Sequence, residues 1–278
     1  MADIVSEEQQ APLARPESAP SPSRHKFGIA YLALAAIVGA AVGLLVVLTT
    51  GHDDKVGKVL PSSRWSSWAP TATGTLGVRQ IARHVSPTYR LSNGRQLAAV
   101  AAGPMQVRPA QGPVPVTGLL ISSGISGRLQ ERVDVTFPDA GVFYAQCGRI
   151  EDCQPSTRPT VAEQVLLQRE ALELALYTFR YLPDADTVID FLPPRPGVDQ
   201  SDPRYHRAIY LPRTALTKEL RTPLRNTLPF VKGGISPDSL SRIDADKVLG
   251  ILAGHMFHYA YQQAPDSSAL LQLTPIEP

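Results

Sequence analysis

Two histidines near the C-terminus have the spacing that most directly suggests chemistry. His255 and His258 fall within a predicted final helix over residues 244–262. Residues three positions apart lie on roughly one face of a helix, so both imidazoles would point the same way. Two neutral imidazoles bind zinc or copper when other side chains complete the site. The pattern suggests a metal site whose third ligand comes from one of four residues: His84, His206, Glu170 and Glu173.

The same histidines also have a plainer interpretation. His255 continues an apolar stripe along the predicted helix, together with Val248, Leu252 and Tyr259. A half-buried histidine that hydrogen-bonds to a backbone carbonyl occupies such a position without any metal. We expect this structural role and no cofactor, and keep metal binding as the alternative.

The two cysteines of the chain, Cys147 and Cys153, lie close together in the segment CGRIEDC. In an oxidising compartment such a pair predicts a disulfide that closes a small loop. The loop would stabilise the fold by roughly 2 kcal/mol on the chain-entropy account. Two reduced thiols in a cytosolic domain are the alternative. A zinc site is disfavoured because the spacing is not C-x-x-C and the sequence has no second pair.

Motifs of well-known enzyme classes are missing from the sequence. It contains no G-x-S-x-G elbow, P-loop, dinucleotide-binding glycine pattern, H-E-x-x-H pair or EF-hand loop. We therefore assign no catalytic residue and expect a protein that is not an enzyme. The 27 basic and 25 acidic residues nearly cancel, which argues against nucleic acid as a partner.

An apolar segment over residues 27–50 contains no charged residue. It is long enough to cross a bilayer, longer than the core of a signal peptide, and is followed by no convincing cleavage site. We predict an uncleaved transmembrane anchor helix. Lysine and arginine are nearly balanced on its two sides, so the cysteine pair decides the orientation: the N-terminus is cytoplasmic and the C-terminal domain extracytoplasmic.

Two small residues of this segment, Gly39 and Gly43, form a G-x-x-x-G pattern. Small residues at this spacing let two helix backbones approach closely, which suggests a homodimer through the transmembrane helix. The pattern is also frequent by chance in segments rich in alanine and glycine.

The remaining chain divides into three parts. Residues 1–26 are rich in proline and serine and predict a disordered cytoplasmic tail. Residues 51–72 predict a juxtamembrane stalk, and residues 73–278 a folded domain. Trp65 and Trp68 lie within the predicted stalk, where they contact either lipid headgroups or the folded domain. We favour the second because the segment lies some way beyond the bilayer edge.

Alternating hydrophobic periods predict a single extracytoplasmic α+β domain, with antiparallel strands packed by two long helices. One long helix begins at a capping box of Thr160 and Glu163 and ends near Tyr181; the other is the final helix over 244–262. A shorter helix is predicted over 77–85, and Asn93-Gly94 predicts a hairpin turn. Strands are predicted over 114–124, 132–137, 141–148, 187–192 and 206–212, with an edge strand at ALLQLTP.

A basic cluster lies between residues 204 and 225, with Arg204, Arg207, Arg213, Lys218, Arg221 and Arg225 against Glu219 alone. We expect a solvated surface there. The alternative is a surface for anionic lipid headgroups or an acidic wall polymer.

Together these features predict a single-pass membrane protein of the cell envelope. Lysine is rare among its basic residues, which indicates a bacterial origin. Its partners are the lipid bilayer and an envelope protein or polymer, and its domain serves binding or assembly. The alternative is a membrane-tethered hydrolase or metal-dependent enzyme that uses His255 and His258. A sensor is a third and weaker hypothesis, because the predicted tail contains no signalling domain.

Overall fold

A mixed β-sheet with helices packed on one face forms the framework of the domain. The computed structural model describes residues 62–104, 106–107, 114–123, 128–134, 140–147, 159–193, 205–264 and 268–276. Nine strands occur in these ranges: β1 (Ala99–Ala102), β2 (Gln106–Val107), β3 (Val114–Ser123), β4 (Arg128–Asp134), β5 (Gly141–Cys147), β6 (Thr187–Phe191), β7 (Arg207–Pro212), β8 (Met256–Gln263) and β9 (Ala269–Pro275). The strand order is β1-β5-β6-β7-β8-β9-β3-β2, and β4 also pairs with β3.

The helices are α1 (Ser62–Trp65), α2 (Gly74–Val85), α3 (Val161–Tyr181), α4 (Thr217–Arg221), α5 (Leu224–Thr227) and α6 (Arg242–Ile251). The prediction for α3 is confirmed. The Thr160 hydroxyl accepts the Glu163 backbone N–H at 3.2 Å, and the Glu163 carboxylate accepts the Thr160 N–H at 2.7 Å. This capping box satisfies two donors that would otherwise be unpaired at the helix start.

The sheet is not purely antiparallel, which corrects the prediction. β5 pairs with β6 in parallel, and β3 pairs with β9 in parallel, whereas the neighbouring pairs are antiparallel. A parallel pair needs a crossover connection, and α3 is the helix of the connection between β5 and β6. The segment ALLQLTP is a strand as predicted, but β9 lies between β8 and β3 and is not an edge.

The prediction of a final helix over 244–262 is confirmed only as far as residue 251 and is wrong for the residues that follow. Helix α6 ends at Ile251, and Gly254 follows with φ 78°. Glycine adopts this left-handed conformation at little cost, so the chain turns there and does not continue the helix. The next residues, from Met256, form β8 between β7 and β9. The apolar stripe seen in the sequence therefore joins residues of two different elements.

The two faces of the sheet carry separate parts of the hydrophobic core. Successive residues of a strand point to opposite faces. On β5, Val142 and Tyr144 belong to the core under the helices, whereas Phe143 belongs to a second cluster. On β6, Val188 and Ile189 divide in the same way. The long helix α3 packs on the first face, which explains why most of its residues between Val165 and Phe179 are buried.

The C-terminal end of α3 is capped by an arginine that the sequence placed on a solvated surface. The Arg213 guanidinium donates to the carbonyl oxygens of Phe179 at 2.6 Å, Leu182 at 2.8 Å and Ala185 at 3.0 Å. The Phe179 carbonyl is one that a helix end leaves without an intrahelical partner, and Leu182 and Ala185 belong to the segment that follows the helix. Burial lowers the pKa of Arg213. The expectation of a fully solvated basic cluster is thus wrong for this residue.

The folded unit begins before residue 73, where the sequence placed its start. Trp65 is only 2% exposed and lies in the core, so the prediction that the tryptophans dock on the domain is confirmed. Among the residues that the structure describes, no helix combines the length and apolar character needed to cross a bilayer. The predicted anchor over 27–50, with Gly39 and Gly43, lies outside the described residues.

Candidate functional site

A cleft of about 450 Å³ lies on the helical side of the domain. Three parts of the chain line it: residues 64–67 around α1, the side chains of Arg169, Glu173 and Tyr177 on α3, and residues from the segment 224–235. His84 and Thr88, from α2 and the turn after it, complete the wall. We refer to this site as the cleft.

Helix geometry explains how α3 contributes to the cleft. Arg169, Glu173 and Tyr177 are spaced four residues apart, and residues at this spacing are neighbours on one helix face. The apolar residues of the same helix face the sheet and pack in the core. Polar groups of the helix therefore reach the cleft in one row.

A buried hydrogen-bond network forms the floor of the cleft. The Tyr89 hydroxyl donates to Glu173 Oε2 at 2.5 Å, and Arg169 Nη1 donates to the Tyr89 hydroxyl at 2.7 Å. Arg169 Nη1 also lies 3.7 Å from Glu173 Oε2. The second guanidinium nitrogen, Nη2, donates to the Pro229 carbonyl at 2.8 Å. Arg169 thus connects the carboxyl group of α3 to the segment on the opposite side of the cleft.

Burial controls ionisation in this network. It raises the pKa of Glu173, although the Arg169 charge and the hydrogen bond from Tyr89 both oppose the shift. It also raises the pKa of Tyr89, with the Glu173 charge as the next cause. Tyr89 therefore keeps its proton at neutral pH and remains a hydrogen-bond donor to the carboxylate.

A second polar group of the wall consists of Ser66, Tyr177 and His84. The Ser66 and Tyr177 hydroxyls are 2.8 Å apart, and the Tyr177 hydroxyl lies 3.5 Å from His84 Nε2. The His84 ring stacks on Trp68 with centroids 3.9 Å apart, which fixes its orientation. Burial lowers the pKa of His84 and raises the pKa of Tyr177 to about 12. Both side chains are therefore uncharged near neutral pH.

Backbone pairing holds the segment 228–235 against the rest of the wall. The Ile235 N–H donates to the Thr88 carbonyl at 2.7 Å, and the Arg90 N–H donates to the Ile235 carbonyl at 2.8 Å. Gly234 has φ 101°, and a Cβ there would lie 2.9 Å from the Thr88 oxygen. Only glycine fits this position without strain.

The two histidines singled out in the sequence lie elsewhere, and not on a helix. His255 precedes β8 and its Nδ1 lies 3.1 Å from the Tyr210 carbonyl oxygen; His258 is in β8 and its Nδ1 lies 3.3 Å from the His206 carbonyl oxygen. The shared helix face was the premise of the metal hypothesis, and that premise is wrong. The carbonyl contacts are those of the plainer interpretation.

Of the side chains suggested as further metal ligands, His84 and Glu173 line the cleft, and Glu170, on α3, is fully buried. His206 immediately precedes β7, and its carbonyl oxygen is the one that His258 Nδ1 contacts. Within the part of the chain that the structure describes, no group of three or more His, Cys, Asp or Glu side chains is arranged to hold a metal.

A closed group of polar side chains, which we call the sealed cluster, lies between α3 and the sheet. It consists of Glu170, Asp190 and Gln146, all fully or almost fully buried. Gln146 Nε2 donates to Asp190 Oδ2 at 3.0 Å and to the Leu167 carbonyl at 2.9 Å. Burial raises the pKa of Asp190 to about 7, and burial together with the Asp190 charge raises the pKa of Glu170 well above its usual value.

The predicted disulfide is only half within the described residues. Cys147 is the last residue of β5, where it pairs with Ala99 of β1, and Cys153 lies outside the described residues. The bond between the two cysteines stays a prediction.

Sequence reasoning missed the cleft, because its residues come from distant parts of the chain. The available signal was the presence of Arg169, Glu170 and Glu173 inside a long helix whose other residues are largely apolar. Of the basic cluster, Arg225 lines the cleft, while Arg204 lies outside the described residues.

Comparison with known proteins adds no assignment. Neither the family models, nor the curated proteins, nor the solved structures with which the chain was compared gave a significant match.

Proposed function

We propose that this chain is a binding module of the bacterial cell envelope that holds a small molecule in the cleft. The domain lies outside the membrane, and a transmembrane helix over residues 27–50 anchors it with the N-terminus in the cytoplasm. The apolar character of residues 27–50 and the close cysteine pair support this placement.

The observation that carries the proposal is the cleft itself. Its volume of about 450 Å³ falls in the range of roughly 300–1,000 Å³ typical of small-molecule sites. Its walls combine apolar side chains, among them Leu228 and Val231, with a few converging polar groups. The polar groups are fixed by hydrogen bonds to one another, so the site is formed before any ligand enters.

The binding test uses full-length protein in lipid nanodiscs and two fluorinated probes of the same shape, a fluoronaphthoate and the matching fluoronaphthamide. Ligand-observed fluorine NMR, with empty nanodiscs subtracted, measures their dissociation constants. We expect saturable binding of at least one probe, weakened by about tenfold or more in Val231→Phe, which fills the cleft.

Val161→Phe is the matched control, because Val161 is 79% exposed and does not line the cleft. Binding of neither probe would contradict the proposal, as would equal binding by the two phenylalanine variants. Circular dichroism of each variant checks that the fold is intact.

The location test adds protease to the outside of intact spheroplasts. We expect loss of the domain without lysis. A domain that is cleaved only after the membrane is opened would contradict the extracytoplasmic placement, while leaving the binding result unaffected.

A further inference from the structure

The cleft has an excess of positive charge in its walls. Among the described residues that line it, three are arginines, Arg64, Arg169 and Arg225, and one is acidic, Glu173. Arg169 donates hydrogen bonds to the Tyr89 hydroxyl and the Pro229 carbonyl and forms an ion pair with Glu173. Arg64 and Arg225 are exposed and, among the residues that the structure describes, form no ion pair.

An exposed aromatic residue completes the arrangement. Phe230 lines the cleft but is 79% exposed, although it follows Pro229, whose carbonyl is held by Arg169. Pockets that bind small molecules are lined mainly by apolar and aromatic side chains. Leu224, Leu228 and Ile235 extend the apolar surface into the cleft.

From the charge and the apolar surface of the cleft we infer that it binds a small organic anion, with an apolar body against Phe230 and a carboxylate or phosphate group paired with Arg64 and Arg225. Guanidinium groups suit both kinds of oxyanion, because their parallel N–H donors match the geometry of the two oxygens. The inference rests on the proposed function and adds to it the chemical class of the ligand.

The charge of the probe tests the inference separately from the existence of the site. The carboxylate and carboxamide probes have nearly the same shape, so a difference in affinity reports on charge. We expect the fluoronaphthoate to bind about tenfold more tightly than the fluoronaphthamide, and its affinity to fall as salt is added. A fluoronaphthyl phosphate, tested in parallel, distinguishes the two headgroups by its affinity relative to the carboxylate.

Variants identify the cations responsible. The double variant Arg64→Gln/Arg225→Gln is expected to remove the preference for the anion, so that the carboxylate binds no more tightly than the carboxamide. Arg79→Gln/Arg242→Gln removes two exposed arginines outside the cleft and is the matched control.

Each outcome separates the two proposals. Carboxamide binding as tight as carboxylate binding, sensitive to Val231→Phe, overturns the anion inference and leaves the binding module standing. A preference for the anion that persists in Arg64→Gln/Arg225→Gln also overturns the assignment of these cations. Absence of binding by every probe overturns both proposals.

Discussion

Two carboxyl groups on α3, less than one helical turn apart, lie in contrasting environments. Glu173 is at the floor of the cleft, where Tyr89 donates to it and Arg169 lies 3.7 Å away. Glu170 is in the sealed cluster, and neither of its oxygens has a hydrogen-bond partner among the described residues. The hydroxyl of the neighbouring Ser86 donates to the Ala98 carbonyl at 2.9 Å, so its proton is not available to Glu170.

The contrast shows how one helix serves two purposes. Burial raises the pKa of both carboxyl groups, but only Glu173 has a neighbouring cation, Arg169, that opposes the shift. A buried carboxyl without such a partner is stable only while it carries its proton. We therefore expect the cleft network to contribute to stability through its ion pair. The contribution of the sealed cluster to stability is expected to change with pH.

The largest expected effect is on the ion-paired side. Arg169→Met keeps the length of the side chain but leaves Glu173 buried without its cation and the Pro229 carbonyl without its donor. Breaking a buried pair on one side typically costs about 3–5 kcal/mol. We expect a loss of that size in the free energy of unfolding, measured by urea denaturation near neutral pH.

Arg242→Met is the control for that measurement. Arg242 lies 3.8 Å from Asp246 on α6, and both side chains are largely exposed. An exposed pair of this kind contributes roughly 0–1 kcal/mol. Similar losses in the two variants would show that Arg169 acts as a surface residue and would remove the contrast between the regions.

The second effect is a dependence of stability on pH that originates in the sealed cluster. The pKa of Asp190 is 3.8 in its unperturbed form and about 7 in the fold. Between these values the folded state binds more protons than the unfolded state, so stability falls as the pH rises. The contribution is fully present below about pH 4 and is lost as the pH rises through about 7.

Asp190→Asn removes this titration. The variant and the natural chain are expected to have nearly equal stability near pH 4, with the variant more stable near pH 8 by roughly 4 kcal/mol, since one pKa unit corresponds to about 1.4 kcal/mol. Urea denaturation at several pH values measures the difference. A stability difference that does not change with pH would show that Asp190 ionises normally. Asp246→Asn, at an exposed position on α6, is expected to change the pH profile little.

Features that depend on local contacts were the predictable parts of the fold. Local signals held for the Thr160 capping box, for the turn at Gly94 with its positive φ, and for the strands predicted over 114–124, 141–148, 187–192 and 206–212. Each depends on contacts within a few residues. The strand predicted over 132–137 overlaps β4 only at its C-terminal end. The error near His255 is also local, because a single left-handed glycine at 254 outweighed an apolar spacing that suited a helix.

Local sequence signals could not have identified the candidate site. Tyr89, Arg169 and Pro229 are far apart in the sequence and meet only because α3 packs between the turn after α2 and the segment 228–235. Pairing in the sheet is similarly non-local, since β9 lies beside β3 in parallel. Charged residues inside an apolar helix indicate that partners exist, but not which elements supply them.

The smallest expected effect on stability distinguishes the rim of the cleft from its floor. Arg64→Gln/Arg225→Gln changes two exposed side chains that form no ion pair within the described residues. We expect the free energy of unfolding to change by no more than about 0.5 kcal/mol, measured by the same urea denaturation. A gain in stability would indicate repulsion between the two guanidinium groups, which a bound anion would relieve. A loss comparable to that of Arg169→Met would mean that the rim arginines are structural, and that their effect on probe binding reports an altered cleft and not a lost contact with the ligand.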